Sequence, residues 1–454
     1  MVKKLGKLKM FIKLLKNNLI NEIVKNSFVA FFLRIVGLII GYLFVLFVAR
    51  KYNAEILGMF SLSVTIIQIL TLVNKLGLDT LMVRFSAEFS VYGEFHLLKD
   101  LYIKVFKISA FLSTFSMFCL FILSNSLANN IFRNNDLSIY LKISSFAILP
   151  LVLLSINSES IRGLRKIKEY AFLKTVSIFL FAIMMLFLLY FKGKHNYDPI
   201  ISYVIAVYIS CFISIIVWFK SSKIYLFSMD KKDFNADLTI RKILGISIPM
   251  LLASSLSFVM GWTDIVLLSF FRSMEEVGVY HVVLKIAMLM SMILTAVNSI
   301  TMPKFAQSFK RNNLSELNQI LNFAVLLIFW ISVVVAVVIV IFSSFILNIF
   351  GSKFVVGKLA LFFLIIGQLV NSIGGLAGPV LQMTGKEVTF QNIVIIAVII
   401  NFLLNVLFIP KYGINGAAFA SAFSMSLWNV LSMIYIYKYY KIVVNPFKFS
   451  LRFN

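Results

Sequence analysis

The chain has 454 residues, 61% hydrophobic and 13% charged, with a formal net charge of +25 at pH 7. A soluble domain runs about half apolar and about a quarter charged, so this composition excludes an ordinary soluble enzyme and points to a membrane protein. The basic excess does not signal nucleic acid, because Lys and Arg collect between the apolar runs and at the two ends, where they orient a membrane protein.

In chain order, residues 1–26 carry seven lysines, with apolar positions at Leu5, Leu8, Ile12, Leu15, Leu19 and Ile23. Steps of three and four put those positions on one helix face, which predicts an amphipathic segment on the inner membrane surface. A cleaved signal peptide is the alternative. It fits poorly, since the apolar run after Asn26 is long enough to span and no A-x-A site follows. Apolar stretches of about twenty residues then predict spans at about 27–49, 56–78, 104–128, 139–161, 170–191 and 198–219. After a polar connector at 220–242, six more follow at about 243–271, 277–300, 319–350, 354–380, 387–409 and 414–437. The runs are continuous rather than alternating, so they are helices and not barrel strands. Cys119 and Cys211 lie in apolar runs and read as small buried hydrophobes. His96, His195 and His281 are scattered without metal-ligand spacing, so no metal or other cofactor is expected.

With the amino terminus inside, the inner segments hold 30 Lys and Arg against 8 in the outer loops, which places both termini in the cytoplasm. A shift of 220 residues sets "NAEILGMF" (53–60) over "SMEEVGVY" (273–280), pairing Glu55 with Glu275 and Gly58 with Gly278. The same shift pairs Arg84-Phe85 with Lys304-Phe305, Phe89 with Phe309, and Lys166 with Lys386. Between 53 and 89 only 6 of 37 positions are identical, but the register holds across span boundaries. An even number of spans per repeat relates the halves by an axis along the membrane normal, with a cleft at the midplane. The expected fold is thus an all-α integral membrane protein of twelve transmembrane helices in two parallel six-helix bundles around a central cleft. Its parts are an amino-terminal segment (1–26), a first bundle (27–219), a cytoplasmic linker (220–242), a second bundle (243–437) and a cytoplasmic tail (438–454).

"ARKYNAEILGMFSLS" after the first span, "GLDTLMVRFSAEF" after the second and "SIPMLLASSLSFVMGWTDIVLLSFF" opening the second half resemble the polysaccharide flippases of the multidrug/oligosaccharidyl-lipid/polysaccharide exporter superfamily. The resemblance covers nearly the whole chain. It implies movement of an undecaprenyl-diphosphate-linked oligosaccharide from the inner to the outer leaflet of a bacterial inner membrane, for O-antigen or related surface polysaccharide. A polysaccharide polymerase and a chain-length regulator are partners the resemblance suggests. The superfamily's peptidoglycan flippases usually carry two further spans, which are not found here.

The residues themselves pose a matching question. Arg34 stands inside "FFLRIVGLIIG", roughly 10 Å deep at ~1.5 Å per residue, where a cation costs about 2.5–3.5 kcal/mol on insertion scales. It needs an anion or a wet cavity. A diphosphate suits the planar fork of an arginine; a structural ion pair or backbone contact that fixes the first span is the other reading. Lys285 and Asp264 stand at nearly equal depth in consecutive spans and either neutralise each other or serve cargo. In the second case Lys285 joins Arg34 in substrate binding, and Asp264 is the candidate for ion coupling. Arg162, Arg165, Lys166 and Lys168, in "SIRGLRKIKEY", either set orientation or draw an anionic headgroup to the entrance. Lys75, Lys142 and Glu159 lie near span ends and can snorkel. Asp79, Arg84 and Glu88 read as a loop-anchoring cluster. Pro150, Pro249 and Pro379 interrupt spans 4, 7 and 10 and are hinge candidates, with Gly374, Gly375 and Gly378 beside the last.

The rival readings fit less well. An ion-coupled drug exporter of the same superfamily generally places a carboxylate in its first span, where this chain has Arg34. A major-facilitator carrier shows a G-x-x-x-D-R-x-G-R-R pattern that "GLDTLMVRFSAEF" does not match. A membrane polymerase or ligase needs a large outer loop with clustered charges, and the outer loops here are short. No nucleophile, paired carboxylates or phosphate loop appears, so a non-enzyme is expected.

Overall fold

In a computed structural model, residues 18–222 and 240–447 are described, and these are helical without any strand. The amphipathic segment expected over 1–26 lies outside the described residues up to residue 17, as do the linker over 223–239 and the tail from 448. The helices are α1 (Asn18–Tyr52), α2 (Ala54–Lys75), α3 (Leu78–Tyr92), α4 (Phe95–Ser126), α5 (Leu137–Ser145), α6 (Ile148–Gly163), α7 (Ile167–Lys192), α8 (Asp198–Ser222) and α9 (Ile240–Phe271). They continue as α10 (Met274–Lys310), α11 (Leu314–Ile341), α12 (Ser343–Phe350), α13 (Lys358–Gly374), α14 (Ala377–Met383), α15 (Glu387–Tyr412) and α16 (Ile414–Tyr440).

Ten stretches among the described residues are long and apolar enough to cross a membrane. An eleventh is the pair α5 and α6, bent by 45° at a short break. The helix α9, 32 residues long, stands where the seventh span is expected. The twelve-span expectation therefore holds in outline. Large apolar side chains such as Phe111, Phe115, Phe118 and Ile122 are more than half exposed, as lipid-facing surfaces require. The chain is a multi-pass membrane protein.

Contacts divide it into two units that interleave along the sequence. The first takes the chain to Phe44, then Leu70–Ile122 and Lys142–Leu251; the second takes Val45–Ile69, Leu123–Leu141 and the chain from Leu252 onward. The first unit packs around Trp218, which stacks on Tyr102 with ring centroids 3.7 Å apart. Two buried polar pairs flank that stack, as an apolar medium favours. Trp218 Nε1 donates to Ser160 Oγ at 2.8 Å, and Tyr102 Oη donates to Asn157 Oδ1 at 2.8 Å. The second unit has its own core of Phe305, Leu317, Leu321, Val380 and neighbours.

Within the second unit the internal repeat becomes geometry. Asn53 and Ser273, 220 positions apart, both cap a helix: Asn53 Oδ1 accepts from the Ile56 amide at 2.9 Å, and Ser273 Oγ accepts from the Glu276 amide at 3.3 Å. Beyond those caps α2 and α10 cross at Gly58 and Gly278. A Cβ on Gly58 would stand 1.8 Å from the Met274 carbonyl oxygen, and one on Gly278 would stand 1.9 Å from that of Ala54. Each contact is the other's counterpart under the shift of 220, so the crossing has a local two-fold axis. Ser61 and His281, again 220 apart, hydrogen-bond across it at 2.7 Å.

The prolines behave differently from the expectation of interrupted helices. Pro150 is the third residue of α6, just after the bend, and Pro379 is the third residue of α14, just after the break that follows Gly374. A proline in a first turn removes no intrahelical bond; the breaks precede the rings. Pro249 falls within α9, at side chains outside the described residues.

Candidate functional site

In the first unit, charged side chains gather where α1, α6 and α7 meet. The gathering starts from a backbone irregularity: residues Phe172–Val176 of α7 form a π-turn, a feature that opens the hydrogen-bond ladder and is frequent at functional sites. The turn presents Thr175 to α1. The Thr175 hydroxyl lies 3.4 Å from the Leu33 carbonyl, and Gly37 comes so close that a Cβ there would stand 2.3 Å from the Thr175 carbonyl oxygen. Only glycine allows this approach. The contact is made by Leu33 and Gly37, which flank Arg34 on α1, and by Thr175, next to Lys174 on α7.

Two carboxylates answer the cations. Glu159 on α6, only 8% exposed, is shared by two of them: Arg162 Nη2 lies 2.9 Å from Oε2, and Lys174 Nζ lies 3.2 Å from Oε1. The Arg162 guanidinium also stands over the Tyr170 ring, 5.3 Å from its centroid. Arg34, Arg162 and Glu159 all act electrostatically on the Tyr170 hydroxyl, so the three charges share one neighbourhood. Nearby, Lys75 Nζ donates to Asp79 Oδ2 at 2.6 Å. Asp79 starts α3 after Gly77, which turns the chain at φ 75°. Burial pushes the Asp79 carboxyl up, the Lys75 ammonium pulls it down, and the net result is a carboxyl below its ordinary range. Lys174 adds to that pull, which links the two ion pairs.

Arg34 and Arg162, singled out in sequence separately, thus lie in one unit and both act on Tyr170. The remainder of the basic cluster does not join them. Arg165 takes a left-handed φ of 62° in the turn between α6 and α7, and Lys166 and Lys168 stand exposed at the start of α7. Lys174 was not anticipated. Lys75 and Glu159, read as snorkelling groups, are instead engaged in ion pairs.

The second unit holds Asp264 and Lys285. Asp264 on α9 is 0% exposed, and the partners found for its carboxylate are neutral. Tyr280 Oη donates to Oδ2 at 2.7 Å, Ser421 Oγ donates to the same oxygen, and Asn405 Nδ2 donates to Oδ1 at 2.8 Å. Asn401 Nδ2 approaches Oδ1 at 3.5 Å. Lys285 is not among these partners, so of the two readings offered for these charges, mutual neutralisation is not what the contacts show. It sits one turn beyond His281 on α10 and its charge acts on that ring. Equal depth leaves the rotation of each helix free, and Tyr280, sixteen residues along the chain from Asp264, occupies the face of α10 that meets α9. Asn401 and Asn405, four residues apart on α15, and Ser421 on α16 were missed. Two amides one helical turn apart in "NFLLN" were the available signal. The donor set is one carboxylate with amide and hydroxyl oxygens, and Asn405 Oδ1 has no hydrogen-bond partner. Such hard oxygen ligands suit a proton or a small hard cation rather than a transition metal. Among the described residues no group of three His, Cys, Asp or Glu converges on a metal-sized site, and both cysteines are free.

Comparison with known proteins agrees with this architecture. Residues 23–309 match the family model described as polysaccharide biosynthesis protein, and residues 249–407 match the MatE model. The probable low-salt glycan biosynthesis flippase Agl15 of Haloferax volcanii is 26% identical over 176 residues, 38% of this chain and 37% of its own length. The chain thus spans well under half of that relative. Among solved structures, the lipid II flippase MurJ in an inward closed conformation superimposes with a TM-score of 0.72 at 17% identity, covering 91% of this chain and 87% of that one. An inward-facing multidrug resistance MATE family transporter also gives 0.72, at 14% identity, covering 91% and 98%. Likeness at this identity speaks for the fold.

Proposed function

Because the chain belongs to the polysaccharide biosynthesis protein family, we propose that it flips a lipid-linked oligosaccharide across the membrane by alternating access, without chemical conversion of the cargo. The carrier is a polyprenyl diphosphate, undecaprenyl in a bacterial inner membrane, and the product feeds O-antigen or a related surface polysaccharide. Both termini face the cytoplasm in this reading, and cargo enters from that side.

The observation that carries the reading is charge imbalance in the first unit. Among the described residues the ion pairs here are Lys75–Asp79, Arg162–Glu159 and Lys174–Glu159, three cations on two carboxylates, and Arg34 is in none of them. Excess cations on apolar helices seek an anion, and a diphosphate supplies several oxygens for an arginine fork. Lys285 is a second contact for the cargo. Asp264, among its neutral donors, is the group at which a proton or cation couples to the cycle.

A second reading, an ion-coupled exporter, draws on the MatE match. One experiment separates them. Cells lacking the protein should accumulate lipid-linked oligosaccharide on the cytoplasmic leaflet and lose surface polysaccharide. Wild type should restore both, Arg34→Lys in part, and Arg34→Ala not at all, at matched membrane levels. Absence of accumulation, with altered drug sensitivity, supports the exporter. Full rescue by Arg34→Ala returns that side chain to a structural role.

A further inference from the structure

Resting on that flippase reading, we infer that Glu159 is an internal competitor for the cargo: Arg162 and Lys174 hold its carboxylate until a diphosphate displaces it and completes the grip begun by Arg34. Three observations combine.

The first is placement. Lys174 rides on the π-turn whose backbone touches α1 at Gly37, so Lys174 and Arg34 belong to adjoining positions on two touching helices. The Arg162 guanidinium stands over the ring of Tyr170, four residues before Lys174 on α7, and both cations contact Glu159.

The second is how loosely Glu159 is held. Its Oε2 has no hydrogen bond of good geometry although Arg162 Nη2 is only 2.9 Å away. The contact is ionic but misaligned. Asp79, by comparison, accepts from Lys75 at 2.6 Å and from the Thr80 amide at 2.9 Å. Asp79 has two directed hydrogen bonds, whereas Glu159 Oε2 has an ion pair in place of one.

The third is access. The Arg162 and Lys174 side chains are 43% and 39% exposed, whereas that of Glu159 is 11% exposed. An incoming anion meets the cations first. A diphosphate carries more charge than a carboxylate and offers more acceptors to the same two donors, so it wins locally. Once it leaves, Glu159 closes the pair again. The competitor therefore spares the protein two unpaired cations on apolar helices and weakens the hold on cargo enough to let it go.

Binding of radiolabelled farnesyl diphosphate to the purified full chain tests this, with farnesyl monophosphate and farnesol as competitors. Glu159→Gln should bind the diphosphate about tenfold more tightly than wild type, and Lys174→Gln about tenfold more weakly. In Lys174→Gln/Arg162→Gln the benefit of Glu159→Gln should vanish. A folded Glu159→Gln that binds no more tightly overturns the inference.

If Glu159→Gln does not fold, labelling of wild-type Lys174 with an amine-reactive reagent decides instead. Protection by farnesyl diphosphate beyond that by monophosphate supports the exchange, and equal labelling with and without ligand overturns it. Loss of binding in Arg34→Gln, with Glu159→Gln and Lys174→Gln both neutral, overturns this inference alone. No diphosphate preference in any form overturns the flippase reading with it.

Discussion

Replacement of Gly58 or Gly278 by alanine probes the two-fold crossing of α2 and α10. In each case the new methyl meets a backbone carbonyl, at 1.8 Å for Gly58 and 1.9 Å for Gly278, where real contacts begin above 3.0 Å. Neither obstacle is the end of a flexible side chain, so the helices have to part by about 1 Å, which forfeits roughly a quarter to a half of the dispersion attraction across the seam. Added methyls in tight packing cost about 1–3 kcal/mol, and the Ser61–His281 hydrogen bond at 2.7 Å is stretched as well. Close glycine crossings are how membrane helices gain contact without a hydrophobic driving force. The assay is thermal unfolding in one detergent together with oxidative cross-linking of a Ser61→Cys/His281→Cys pair. Each alanine variant should melt lower and cross-link more slowly, by similar amounts, because the two sites are equivalent. Unchanged stability and cross-linking in both variants would refute the reasoning, and a loss confined to one would refute the symmetry.

Two other outcomes follow from buried charges. Asp264→Ala strands the Tyr280, Ser421 and Asn405 donors in an apolar interior and should cost about 3 kcal/mol. Asp264→Asn, which keeps the shape and one acceptor, should cost less; equal melting of wild type and the alanine variant counts against the hydrogen-bonded nest. Asp79 has a lowered folded-state pKa, so its contribution is present in full above the ordinary carboxyl range and fades as pH falls through the lowered value. The stability difference between wild type and Asp79→Asn, measured from pH 7 downward, should therefore hold steady at first and shrink only at the acid end. A difference that grows on acidification contradicts the Lys75–Asp79 pair.

The helices were legible because lipid leaves the backbone few choices. Each apolar run must bond to itself, so the order of the spans and their approximate number could be read from hydropathy alone. The repeat was legible for a related reason: Gly58 and Gly278 keep their register because the crossing tolerates no side chain at either place. What hydropathy does not encode is where a helix breaks within an apolar run. The bend between α5 and α6 and the π-turn at Phe172–Val176 leave hydrophobicity unchanged, and Pro150 pointed a few residues past the former. The helix α3 was missed for the opposite reason. Its polar face, with Asp79, Arg84 and Glu88, resembles a loop to any method that looks only for spans.

The site divides along the same line. Arg34 announced itself because a lone cation in an apolar run has one-dimensional meaning; its cost is evident from its neighbours in sequence. Lys174 did not, since near the end of a span an ammonium can snorkel. Its distinction comes from the π-turn and from Glu159, which lies 15 residues earlier on another helix. The failure of the Asp264–Lys285 pairing has the same cause. Equal depth along two helices fixes one coordinate and leaves rotation about each axis free, and rotation decides which side chains meet. Only packing supplies that second coordinate. It turns Tyr280 toward Asp264 and, through the close approach at Gly37, brings the neighbourhood of Arg34 against that of Lys174. An intramembrane charge found in sequence thus identifies half of an interaction, and its partner is found by asking which helix face the local glycines allow to come near.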